Sequence, residues 1–157
     1  MKDKKLLSDI KEYLKCYENQ VLEDWYELIR HISVSETGEG IETCCDWIQK
    51  KMEEIGIQVT KYSVKPAPVL VGRFGNDPEK KTVLIYAHYD VKPAGERKLW
   101  HSDPFVPTVR DGKVYARGSA DNKSPLMAHL KALEYFIRRK MEVPVNVIFV
   151  FEGEEEC

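Results

Sequence analysis

The chain has 157 residues, 43% of them apolar and 10% aromatic, enough for about one globular domain with its own core. It has no uninterrupted apolar stretch of about 18 residues, which excludes an ordinary transmembrane helix. A formal charge of −2 argues against a protein that holds nucleic acid by charge alone.

Met1 to Ile10 is basic at its start but lacks a long apolar run, so no secretory signal is expected. The cysteines are Cys16, the adjacent Cys44 and Cys45, and Cys157. They lack metal-ligand spacing and read as reduced thiols of a cytoplasmic protein.

From Leu6 to Ile32, apolar residues recur at helical spacing through Ile10, Leu14, Tyr17, Val21, Trp25 and Leu28. This predicts one long helix, or two with a break at Asn19. His31 at its end is expected to meet the last carbonyls of that helix. Ser33 to Gly40 reads as a loop. A second helix follows, with Ile41, Cys44, Cys45, Ile48, Met52 and Ile55 on one side and Gly56 as its stop.

Ile57 to Val64 and Val69 to Phe74 read as strands, paired antiparallel at one side of a sheet. Val83 to Ala87 is continuously apolar and reads as the central strand, buried on both faces. Asp111-Gly112 between two apolar runs predicts a hairpin. A helix is expected from about Ser124 to Lys140, with Pro125 in its first turn. Val145 to Phe151 is the last strand. This order predicts an α/β fold, a mixed sheet flanked by helices.

Three groups of potential ligands sit at element ends. His88-Tyr-Asp90 follows the apolar strand, where open α/β sheets place their sites. A carboxylate two residues from an imidazole can hold its other ring nitrogen. Asp121 precedes the last helix. It is either a cap or turn aspartate, or a carboxylate bridging two cations. Glu152, Glu154, Glu155 and Glu156 follow the last strand without a polar spacer. They are either a solvated acidic end or a cluster that needs a cation.

Four segments sharpen this reading: His88-Tyr-Asp-Val-Lys-Pro93, Trp100-His-Ser-Asp-Pro-Phe105, Asp111 to Lys123 with Arg117-Gly-Ser-Ala-Asp121-Asn-Lys123, and Pro144 to Glu156 ending Glu-Gly-Glu-Glu-Glu. In this order they resemble the dinuclear zinc metallopeptidase family of carnosinase-type dipeptidases, aminoacylases and succinyl-diaminopimelate desuccinylase. The dipeptidase branch is the most similar, through Trp-X-X-Asp-Pro-Phe and Glu-Gly-X-Glu-Glu. The resemblance runs from about Ile41 to Cys157.

The resemblance implies a phosphorylase/zinc-aminopeptidase-like catalytic domain that hydrolyses amide bonds of dipeptides or N-acyl amino acids. His88 would bind one metal and Asp121 would bridge both, its bond to Asn122 being cis. With Gly153 setting the register, Glu155 is the general base and Glu156 the ligand of the other metal. A slip by one residue, to Glu154 and Glu155, stays open. Asp90 would support the catalytic site without binding metal. Two divalent cations are implied, with zinc suiting the mixed donor set and manganese or cobalt as alternatives.

The implied partner is a small peptide or N-acyl amino acid, with no nucleic acid and no membrane; full-length members form homodimers. The family pattern continues past Cys157 with a further acidic ligand, a late histidine and an inserted lid and dimerisation domain. Residues 1–157 are therefore expected to be the N-terminal part of an incomplete catalytic domain, inactive or nearly so alone. Its free sheet edge is expected beside Val145 to Phe151. The competing expectations are a non-catalytic remnant, or half of a split enzyme completed by another chain.

Overall fold

A computed structural model describes residues 2–157; Met1 lies outside them. The elements run α1 (Lys2–Arg30), α2 (Ile41–Glu54), β1 (Gln58–Tyr62), β2 (Val69–Phe74), β3 (Thr82–His88), β4 (Thr108–Arg110), β5 (Lys113–Tyr115), α3 (Lys123–Arg138) and β6 (Asn146–Glu152). A short 3-10 turn at Arg97–Leu99 interrupts the loop before β4. The helices and strands follow the order read from the sequence. α1 passes Asn19 without a break. No helix of the described residues is long and apolar enough to cross a membrane.

The main sheet has the order β1-β2-β6-β3. β1 and β2 are antiparallel at one side, and β2 is antiparallel to β6. β6 and β3 are parallel, joined through the hairpin and α3. Two sequence expectations fail here. β6, not β3, lies inside the sheet, so the free edge belongs to Thr82–His88 rather than to Val145–Phe151. β3 is also not buried on both faces: Val83 is 42%, Leu84 62% and Tyr86 50% exposed.

The alternation of the strands explains the burial. Leu70 on β2, Val147, Phe149 and Phe151 on β6, and Ile85 and Ala87 on β3 share one face. That face packs on Cys44, Cys45, Ile48 and Met52 of α2 and on Leu126, Leu130 and Leu133 of α3. The opposite face carries Leu84, Tyr86, Ile148 and Val150, and all four keep solvent exposure. A continuously apolar run meets the demands of a two-sided core, but here only one side is covered.

α1 packs across α3 and α2. Its inner surface ends in Leu28 and Ile29, both fully buried. Asp24 projects between Lys131 of α3 and Lys51 of α2. Lys131 also meets Glu134, which in turn meets Arg138, so the three helices share one ion network.

The Asp24 and Lys131 side chains are only 17% and 14% exposed. Burial works to raise the Asp24 carboxyl. The hydrogen bond and charge of Lys131, with Lys51 behind it, outweigh burial and hold the group below its ordinary value. A carboxyl lowered on folding stabilises above its unfolded value, about pH 4, and loses that contribution as pH falls through the folded value. Asp24→Asn is expected to cost about 2 kcal/mol near neutral pH. The gap from wild type should narrow below about pH 4, as urea unfolding at neutral and acidic pH would show.

Candidate functional site

Parallel pairing of β3 and β6 ends both strands at the same level, with His88 opposite Glu152. The chain after each strand then turns over the same edge. Tyr89 donates its backbone N–H to the Glu152 carbonyl at 2.8 Å. The two acidic segments are thus neighbours because of strand register.

Asp90 lies at the centre of this meeting and has no exposed surface. Its Oδ1 accepts the backbone N–H of Glu155 at 3.2 Å and its Oδ2 that of Glu156 at 2.8 Å. His88 Nδ1 sits 3.2 Å from the Asp90 carbonyl and 3.3 Å from Oδ1. Burial alone would raise the Asp90 carboxyl. The His88 contact and the backbone N–H of Glu156 overcome it and hold the group below the usual carboxylate value.

The other imidazole nitrogen of His88 faces two more acids. Nε2 lies 3.1 Å from Asp121 Oδ1 and 3.8 Å from Glu155 Oε2. Desolvation lowers the affinity of His88 for a proton, but Asp90 and then Glu155 raise it further, and the group is pushed up to about 9.

Asp121 arrives on the turn before α3, and its bond to Asn122 is cis. The hairpin β4–β5 delivers that turn, with Asp111 and Gly112 both at positive φ. Asn122, not Asp121, occupies the N-cap position of α3, and it makes no side-chain cap bond. The cap reading of Asp121 therefore fails, and its carboxylate is turned to His88 instead.

The remaining sequence candidates behave differently. The Glu155 side chain is half exposed, at 49%, at the open side of the cluster. Glu156 is not brought to His88: its carboxylate lies 3.8 Å from Lys92 Nζ, and Lys92 also donates to the Glu156 carbonyl. Among the described residues, no three His, Cys, Asp or Glu side chains already converge as a closed cation cage. The donor chemistry still suits a divalent cation. An imidazole nitrogen, its ring fixed by a buried carboxylate, faces two carboxylate oxygens, a set that zinc and its neighbours accept in exchange for the imidazole proton.

Several positioning groups were given no role by the sequence reading. Ser33 Oγ donates to the Tyr89 carbonyl at 2.6 Å, and the Ser33 carbonyl accepts the Val91 N–H at 2.8 Å. Lys123 is buried and donates to carbonyls at the end of α1. His31 was expected at those carbonyls; its ring packs beside Trp47 instead. Arg117 lies over Trp100 and donates to the Pro93 carbonyl at 3.1 Å, tying the loop after Asp90 to the glycine turn. A serine in a loop and a lysine in a first helical turn look solvated in a sequence. Only a long-range contact distinguishes them.

Residues 84–157 match the model of Peptidase family M20/M25/M40. The chain belongs to the M20 peptidases. It is 43% identical over 110 residues to the Cys-Gly metallodipeptidase dug1 of Schizosaccharomyces pombe, covering 68% of this chain and 23% of that protein. It is 45% identical over 90 residues to the human Beta-Ala-His dipeptidase, covering 57% of this chain and 18% of that protein. The crystal structure of human carnosine dipeptidase 1 superposes with a TM-score of 0.86 at 29% identity, covering 96% of this chain and 35% of that one. The chain thus spans about a quarter or less of the length of these curated relatives, and about a third of that solved structure.

The M20 strand-end cluster depends on Asp90 and on Gly153. A Cβ at Gly153 would lie 2.5 to 2.7 Å from the buried Tyr89 ring. Gly153→Ala must therefore push the glutamate turn off Tyr89, at a cost of about 1–3 kcal/mol. Asp90→Ala leaves the Glu155 and Glu156 N–H groups without their acceptor and removes the carboxylate beside His88 Nδ1, at a cost of about 2–4 kcal/mol. Glu154→Ala, on an exposed side chain, should cost almost nothing. Urea midpoints of the three variants, with hydrogen exchange at the Glu155 and Glu156 amides, check this order.

Proposed function

We propose that this chain supplies the N-terminal core of a metal-dependent amide hydrolase acting on dipeptides or N-acyl amino acids. The observation that carries the reading is His88, its Nδ1 held by buried Asp90 and its Nε2 facing Asp121 and Glu155. The named activities of the dug1 and Beta-Ala-His relatives support the substrate class, and the word metallodipeptidase supports a metal requirement.

In this reading His88 Nε2 and the Asp121 carboxylate would hold the divalent cations. Glu156, which now rests on Lys92, would be a further cation ligand once free of that lysine. Zinc suits the imidazole and carboxylate donors, and manganese and cobalt remain alternatives. The chemistry gained from divalent cations there is acidification of water and counter-charge for the carbonyl oxygen.

The chain's own groups do the rest. Glu155, open to solvent, takes the proton from the attacking water and passes it to the leaving amine nitrogen. Asp90 orients the His88 ring and, through two backbone N–H bonds, fixes where Glu155 and Glu156 begin. The small peptide enters from the exposed side of Glu155 and Asp121. Further donors and the groups that recognise the peptide come from outside these residues, in the same polypeptide or from another chain. We place residues 1–157 as one part of the catalytic domain on that ground.

A second reading, a non-catalytic remnant whose acids are neutralised internally, is favoured by one contact: Glu156 rests on Lys92. Metal binding separates the two. Protein loaded with zinc or manganese, then desalted, is expected to retain near-stoichiometric metal and to hydrolyse dipeptides little or not at all. Asp121→Ala should weaken retention by more than about tenfold. Metal content indifferent to that substitution would overturn the hydrolase reading in favour of the remnant.

A further inference from the structure

Among the residues whose burial is described, Lys123 is the one lysine with essentially no exposed surface, at 1%. A buried ammonium is costly unless its N–H groups are satisfied. Its Nζ donates to the Leu28 carbonyl at 3.1 Å and to the His31 carbonyl at 2.5 Å. These carbonyls close the C-terminus of α1, where unpaired acceptors and the negative end of the helix dipole gather. The partner of Lys123 is thus the end of a helix more than ninety positions away in sequence.

The Lys123 stem also fills space beneath the glycine turn. A Cβ at Gly118 would lie 3.3 Å from Lys123 Cδ and 2.7 Å from Val91 Cγ1, and Gly118 has φ near +77°. The Lys123 backbone N–H donates to the Gly118 carbonyl at 3.2 Å. Between Gly118 and Lys123 the chain makes the turn that carries Asp121. Asn122 gives that turn no side-chain anchor: its Oδ1 is buried and has no partner among the described residues.

The same helix end also holds the other half of the cluster. Just past α1, Ser33 bonds the carbonyl of Tyr89 through its hydroxyl and the N–H of Val91 through its carbonyl. The segment His88 to Val91 and the turn at Asp121 are thus both referenced to the C-terminal end of α1, one through Ser33 and the other through Lys123.

We propose that Lys123 is a positioning residue of this site: its buried ammonium, set on the Leu28 and His31 carbonyls, holds the Asp121 turn so that the Asp121 carboxylate meets His88. The consequence for cation affinity rests on the metal-dependent reading given above. The placement of Asp121 against His88 does not, so the two can fail separately.

The test compares wild type, Lys123→Met, Asp121→Ala and Asp24→Asn. Asp24→Asn loosens the contact of α1 with α3 through Lys131 without touching the turn. In chelator-treated protein at fixed pH, long-range proton–nitrogen NMR of the imidazole reads the surroundings of His88 Nε2. Lys123→Met should move that signal most of the way towards its Asp121→Ala position, while Asp24→Asn leaves it at the wild-type position. Mn2+ affinity, by calorimetry, should fall about 10–100-fold in Lys123→Met and stay unchanged in Asp24→Asn.

If Lys123→Met does not fold, Lys123→Gln, which keeps two N–H donors on a shorter stem, is read the same way. An unmoved His88 signal overturns the proposal, as does a Lys123→Met signal change matched by Asp24→Asn. Wild-type Mn2+ affinity in the lysine variant also overturns it. Absence of Mn2+ binding by wild type overturns the hydrolase reading instead, and the NMR comparison still decides the role of Lys123.

Discussion

The burial of Asp90 is the constraint around which the strand ends are built. A carboxylate without exposed surface must be fully hydrogen-bonded or it destabilises the fold. Here its oxygens take the backbone N–H groups of Glu155 and Glu156 and contact His88. One charge thereby fixes an imidazole and the start of an acidic turn at once. Neither could shift without leaving the other, or Asp90 itself, unpaired.

That arrangement requires β3 and β6 to be parallel neighbours. Parallel pairing needs a long crossover, and the crossover here carries the hairpin and α3. The turn that begins α3 therefore returns to the same edge where both strands end, and it brings Asp121. The core beneath, Phe149, Phe151, Ala87 and Leu126 among others, holds these elements at fixed heights. The site is thus a by-product of strand direction and of helix packing on a single sheet face.

Charge is handled differently in the interior and at the open side. Inside, Asp90 and Lys123 are each satisfied mainly by backbone groups, which have fixed positions. At the open side, Glu155 and Asp121 keep exposed side chains that can exchange partners. Glu156 is more covered and rests on Lys92. Backbone-held charges thus lie below and exposed acids above.

The sequence by itself determined the helices, the strands, the hairpin at Asp111-Gly112 and the grouping of His88, Asp90, Asp121 and Glu155, because local periodicity and four ordered motifs carry that information. It also led to the family. It could not rank the strands: continuous apolar character in Val83 to Ala87 is the same whether a strand is central or at an edge, and burial depends on what lies beside it. It left open a slip of one residue along Glu154 to Glu156, since adjacent acids share composition but turn to different partners. Lys123 and Ser33 were illegible because their partners lie far away in sequence. Only the tertiary structure, by folding the end of α1 onto the strand ends, made them internal groups with work to do.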